Sequence, residues 1–253
     1  MSSAATAMPH VHRDPKGAKI GMWLFLFTEL LLFGGLFLLY AVYRYRYPAD
    51  FHYAATHLDT FLGTVNTLIL LTSSLTMALS IATFQQRKRK LSAWFLVITI
   101  VFGFIFLINK YIEWSTKIHH HIYPNSPELV QHTPGENIFY SLYYAMTGLH
   151  GLHVIIGIIL LTVMCVLVAR KPRRHVRVPR GEGAALALLD NSGSPILEES
   201  LGSGVTEVGF TLFDETDEET RESMLIKLEN AGLYWHLIDI IWIFLFPLFY
   251  LIT

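Results

Sequence analysis

Glu29 stands inside LFLFTELLLFGG, residues 24–35, part of an apolar run long enough to cross a membrane. An ionisable side chain is expensive there, so it is rare and usually faces the protein interior or a function. The others of its kind are few. His150 and His153 lie in YYAMTGLHGLHVIIG (143–157), and His236 and Asp239 lie in YWHLIDIIWIFLFPLFY (234–250). Lys110 and Glu113 come near the end of a third run, where their stems can snorkel toward water.

Three kinds of chemistry are open to this set. A Glu and a His can satisfy each other as a structural pair. They can also handle protons, because lipid penalises the charged form of a carboxylate. Haem ligation fits poorly, since two stacked haems need His pairs more than one turn apart, and His150 and His153 are only about 4.5 Å apart along a helix. A single haem between His153 and His236 remains as an alternative. Depth arithmetic at about 1.5 Å per residue places Glu29 roughly 13 Å from the inner face. The same count puts His150 at that level, with His153 and His236 nearer the inner face. The expected neighbours are therefore Glu29 with His150, and His153 with His236.

Weaker signals surround these. Asn66, Thr72, Ser73 and Ser74 read as interhelical hydrogen-bonding residues. The run His119, His120, His121, with His132 beyond, has no framing carboxylate, and adjacent loop residues share no face, so no metal site is expected; His10 and His12 are weaker still. The lone Cys165 excludes an internal disulfide and reads as a small buried apolar residue.

The elements that must position these groups follow from composition. Hydrophobic residues make up 53% of the 253 and charged residues 15%, against about 25% charged in soluble domains, so this is an integral membrane chain. The net charge of −1 hides a segregation of basic from acidic stretches, and no nucleic-acid partner is expected. The expected fold is all-α, a bundle of five transmembrane helices over Ile20 to Tyr43, Phe61 to Phe84, Ser92 to Trp114, Ile138 to Ala169 and Leu233 to Ile252. Residues 1–19 form a polar N-terminal segment, 20–169 the first four spans, 170–232 a polar insert, and 233–253 the fifth span. No cleavage signal follows the first run, which is expected to stay in the mature protein.

Lys and Arg concentrate before the first span, at 87–90, and at 170–180, which by the positive-inside rule puts the N-terminus in the cytoplasm and the C-terminus outside. Within the insert, Thr216 and Glu219 have capping-box spacing and open a helical pattern running to Gly232, read as a surface helix with a C-cap. The stretch LLDNSGSPILEESLGSG reads as loosely ordered and the acidic block 214–222 as a solvated face.

The segments at 143–157 and 234–250 resemble the histidine-bearing helix and the last helix of subunit III of the haem-copper respiratory oxidases, the cytochrome c oxidase family. MWLFLFTELLLFGG resembles the family's buried-carboxylate helix, and NTLILLTSS and KYIEW fit the two helices after it, so the resemblance covers all five spans. It implies a subunit without a catalytic or redox centre that packs against the catalytic subunit, holds phospholipid in a cleft, and supports proton uptake and sustained turnover. Haems and copper belong to partner subunits I and II. By resemblance Glu29 faces the lipid cleft, and Trp235 and His236 sit by the lipid head groups at its inner mouth. His150, His153 and Asp239 complete the expected proton-handling or lipid-cleft set, with Asn66 and Glu113 as further polar positions. The chain looks like the five-helix form of the family, whose other two helices are expected in another subunit, and its insert is longer than expected. The resemblance implies a bacterial inner membrane. The alternatives are the equivalent subunit of a quinol oxidase or nitric oxide reductase system and, in another class, a free-standing membrane haem protein.

Overall fold

The computed structural model describes residues 15–124, 126–127, 133–170, 174–179, 207–212 and 218–251. His10, His12 and His132, Thr216 of the capping box, and the stretch 188–204 lie outside these. The chain divides into a helical unit and a second unit, Arg170–Glu218.

The helical unit contains α1 (Pro15–Arg46), α2 (Pro48–Thr56), α3 (Thr60–Gln85), α4 (Arg89–His119), α5 (Pro134–Ala169) and α6 (Glu218–Phe246), which ends in one π-helical turn, Pro247–Leu251. Five of these, all but α2, are long and apolar enough to span a membrane. The five expected spans are present; α3 exceeds its expected bounds by one residue at each end, and the other four begin three or more residues earlier than expected. The short α2 was not expected; Pro48 starts it, and Phe51, Ala54 and Ala55 are buried.

The helices α3 and α4, and α3 and α6, run antiparallel, as side-chain contacts at successive levels show. Between α3 and α4 the rungs are Ser80 to Ser92, Thr76 to Thr99, and Asn66 to Asn109. Between α3 and α6 they are Ser74 to His236, Ser73 to Trp235, and Thr67 to Trp242. Small hydroxyl and amide residues thus join the helices where apolar burial gives little drive for association in lipid. The α1 helix is held differently: its buried residues are Leu26, Phe33 and Tyr40, seven apart, a single narrow seam with its other faces turned outward. Its ends are tied to α6 by an ion pair from Lys19 to Glu229 at 3.0 Å and by a bond from the Tyr40 hydroxyl to the Leu248 carbonyl at 2.7 Å.

Two turns explain residues that the sequence leaves ambiguous. After α3, Arg87 takes a φ of 62°, its N–H donates to the Phe84 carbonyl and that of Lys88 to Thr83. After α4, His121 takes a φ of 55°, its N–H donates to Ile118 and that of Ile122 to Lys117. Both are Schellman caps, which satisfy the last carbonyls of a helix. The His119–His121 run is therefore the end of α4, and His121 fills a left-handed position that histidine tolerates better than most residues.

Two features of the insert depart from expectation. A six-residue antiparallel ladder joins β1 (Arg174–Pro179) to β2 (Glu207–Leu212), with Val176 opposite Phe210 and Val178 opposite Val208. Alternating valines in RHVRVP carried that signal. Second, no helix stops at Gly232: α6 is continuous from Glu218 to Phe246. Gly232 is a packing position, because a Cβ there would meet Ile81 Cδ1 at 2.8 Å.

Candidate functional site

Glu29 does not meet His150. Its Oε2 lies 2.9 Å from His153 Nε2, and the other ring nitrogen, Nδ1, lies 2.7 Å from the Leu149 carbonyl one turn earlier in α5. The depth count was sound to within a turn, but helix rotation decides the partner. His153 turns toward α1, while His150 turns toward α4 and α6, packing its ring against Phe106 and Trp242 at 5.5 and 5.2 Å. His150 is fully buried and neither ring nitrogen has a hydrogen-bond partner.

The Glu29–His153 pair borders a cavity of about 480 Å³ between α1, α5 and α6. Phe25, Ile156, Leu160 and Val163 supply apolar wall, and Lys227 and Asn230 add polar groups from the third and fourth turns of α6. Tyr234 closes one side and reaches the His153 carbonyl through its hydroxyl at 3.4 Å. Phe33 packs edge-on against the His153 ring at 5.5 Å. The site is thus an apolar slot with a carboxyl–imidazole pair on its wall and a cation near one end, suited to a long amphiphile.

His236 and Trp235, expected beside lipid head groups, are not on this cavity. Trp235 is fully buried, its indole N–H donating to Ser73 at 3.1 Å. Its ring fills a slot between Gly103 and Gly157, where added Cβ atoms would lie 2.9 and 2.8 Å from it. His236 is bonded through Nδ1 to Ser74 Oγ at 2.6 Å, on the α3 side of α6. Its partner is thus Ser74 and that of His153 is Glu29, so the expected pairing of these two histidines is not seen. Asp239 is buried near Ser74, yet no bond to either of its oxygens meets hydrogen-bond geometry. Asn66 accepts from Asn109 at 2.9 Å, the interhelical role expected of it.

The larger correction concerns Lys110 and Glu113. Both are buried and turned inward, so neither snorkels. Lys110 Nζ donates to Glu113 Oε2 at 2.9 Å and to the Tyr250 hydroxyl at 2.8 Å. Glu113 Oε1 accepts from Tyr250 at 2.6 Å and Tyr143 at 2.7 Å. The rings of Trp242, Tyr250 and Tyr143 surround the ammonium at 4.7, 5.2 and 5.5 Å. Charge, hydrogen bonds and cation–π contacts are all satisfied within one cluster joining α4, α5 and the terminal π turn. The signal was present in the spacing. Buried positions on α4 run Ser92, Leu96, Thr99, Gly103, Phe106, Lys110, Glu113, Lys117, an unbroken alternation of four and three. Among the described residues no group of three or more His, Cys, Asp or Glu side chains gathers as metal ligands would.

The sequence model of the family described as cytochrome c oxidase subunit III matches residues 2–178. A cytochrome c oxidase subunit 3 from Thermostichus vulcanus is 28% identical over 98% of this chain and 94% of its own length. One from Synechocystis sp. is 29% identical over 95% of this chain and 78% of its own. A probable quinol oxidase subunit 3 from Staphylococcus epidermidis is 26% identical, covering 92% and 88% respectively.

Proposed function

Since the chain belongs to the cytochrome c oxidase subunit III family, we propose that it serves a proton-pumping haem-copper terminal oxidase as a non-catalytic subunit. In this role it packs against subunits I and II, binds phospholipid, and supports proton uptake and sustained turnover during oxygen reduction. The observation that carries this reading is the Glu29–His153 pair on the wall of the apolar cavity between α1, α5 and α6. An acyl chain matches the apolar wall, and Lys227 suits the phosphate of a head group near the end where α1 and α6 begin. The carboxyl–imidazole pair then adjoins lipid, where it can hold a proton close to the catalytic subunit. Haems and copper reside in the partner subunits.

The donor is cytochrome c or quinol. Relatives carry both descriptions, and partner subunits make that choice. The Lys and Arg residues at the start of α1, in the α3–α4 turn and at the start of the insert favour an N-terminus in the cytoplasm of a bacterium, with the chain in its inner membrane. A reporter fused after Thr253 is then inactive if it works only in the cytoplasm; an active one would reverse the orientation.

The decisive experiment is purification in mild detergent followed by identification of the accompanying chains. A haem-copper subunit I is expected, and its companion subunit identifies the donor. A stoichiometric Soret band from this chain alone would instead make it a haem protein in its own right.

A further inference from the structure

The hydrogen bonds around His153 fix how many protons the Glu29 pair holds. His153 Nδ1 lies 2.7 Å from the Leu149 carbonyl oxygen, which has no proton to give, so Nδ1 carries the N–H. In a neutral imidazole Nε2 is then a bare acceptor. It faces Glu29 Oε2 at 2.9 Å. A bare imidazole nitrogen and a carboxylate oxygen cannot bond, because both only accept. One proton must occupy that contact.

We propose that Glu29 and His153 hold a single shared proton as a net-neutral pair on the cavity wall, with the Leu149 carbonyl as the group that enforces it. Two arrangements satisfy the contact. In one, the Glu29 carboxyl donates its O–H to Nε2; in the other, the imidazolium donates N–H to the carboxylate. Passing between them breaks the O–H bond as the N–H bond forms, and the net charge of the pair stays zero. Losing the proton would leave two facing acceptors and a lone negative charge beside an apolar cavity; gaining a second would leave two facing donors and a lone positive charge. Burial makes both outcomes costly, since the side chains are only 16% and 11% exposed for Glu29 and His153. The surrounding titratable groups are Lys227 and Tyr234 of α6 on the cavity and His150 one turn away on α5. The ion-paired Lys19 and Glu229 lie farther toward the α1 start. The pair therefore keeps one proton and can present either a hydroxyl or a carboxylate to the cavity's occupant without changing its charge.

The inference deepens the proton-supporting role proposed above, but its test is independent of that role. The full chain, with ¹⁵N-labelled histidine, is placed in phosphatidylcholine vesicles for solid-state NMR, and His153 is assigned by difference against His153→Gln. Nδ1 should be protonated, and the Nε2 resonance should show a proton shared with Glu29. Glu29→Leu should move the Nε2 resonance and leave Nδ1 protonated; Glu29→Gln serves the same purpose if the leucine variant does not fold. A bare Nδ1, an Nε2 with no proton in its contact to Glu29, or an Nε2 resonance indifferent to both Glu29 variants would overturn the proposal. Failure to copurify with oxidase subunits would overturn the functional reading while leaving the NMR result intact.

Discussion

Replacing Glu113 by glutamine tests whether the buried cluster is a coupled unit or four residues that happen to be adjacent. The substitution keeps shape and removes charge, so Lys110 loses its counter-ion while 8% exposed. Breaking a buried pair by removing one partner costs about 3–5 kcal/mol. The three aromatic rings around Nζ and the Tyr250 hydroxyl remain to offset part of this, so the expected cost is at the lower end, about 3 kcal/mol. Lys110→Met should cost a similar amount, because the carboxylate keeps its two tyrosine donors and loses its cation. The double variant removes both charges together, and replacing a whole buried pair by apolar or neutral groups is often nearly neutral. The assay is reversible unfolding of the full chain in mixed micelles, followed by tryptophan fluorescence, with the two single variants and the double forming a thermodynamic cycle. The double should cost clearly less than the sum of the singles, giving a coupling of about 2 kcal/mol or more. Additive effects, or singles that each cost under about 0.5 kcal/mol, the range of ordinary surface substitutions, would mean that the two charges reach water and the cluster is not buried in the working protein.

Gly157→Ala should destabilise by about 1–3 kcal/mol through overpacking against Trp235, whereas Gly151→Ala, with nothing within 4 Å, should be silent in the same unfolding assay. A hydrophobic carbodiimide should label Glu29, which borders the cavity, in preference to Glu113, whose carboxylate accepts three hydrogen bonds; peptide mapping that finds the reverse would contradict both placements. Glu29→Ala leaves His153 Nε2 without its partner, at a cost of about 1–3 kcal/mol. The complex should assemble and begin oxygen consumption within a few-fold of the parent, then lose activity sooner during turnover; an abolished initial rate with all haems present would make the carboxylate part of the chemistry.

What could be read in the sequence divides by the physical quantity involved. Span number and membrane class depend on length and hydropathy, which are local sums, and all five spans are present in the structure. Depth along a helix is also a sum, at about 1.5 Å per residue, and it brought Glu29 to within one turn of its true partner. Rotation about the helix axis is not a sum. His150 and His153 are three residues apart and share one broad face, yet a difference of about 60° between three steps and a full turn sends one ring to α1 and the other into Phe106 and Trp242. Only the packing of neighbouring helices sets that phase. The Gly103–Gly157 slot for Trp235 is one of the contacts that do so.

The same reasoning explains the misreading of Lys110 and Glu113. Position alone, near the end of a span, says that long charged side chains can escape to water. Phase says otherwise, because the stripe begun by Ser92 and Leu96 carries both residues, and Lys117 after them, onto the buried face of α4. Escape would require turning Phe106 and Thr99 out with them, and Thr99 is bonded to Thr76 of α3 at 2.8 Å. Where depth and phase conflict near a membrane surface, phase should prevail whenever the stripe is continuous and aromatic partners lie within reach. Here those partners come from α5 and from the π turn at the far end of the chain, Tyr143 and Tyr250. A pair 107 positions apart in sequence is thereby made to share one carboxylate oxygen, so the cluster can form only once α4, α5 and the C-terminal turn have packed together.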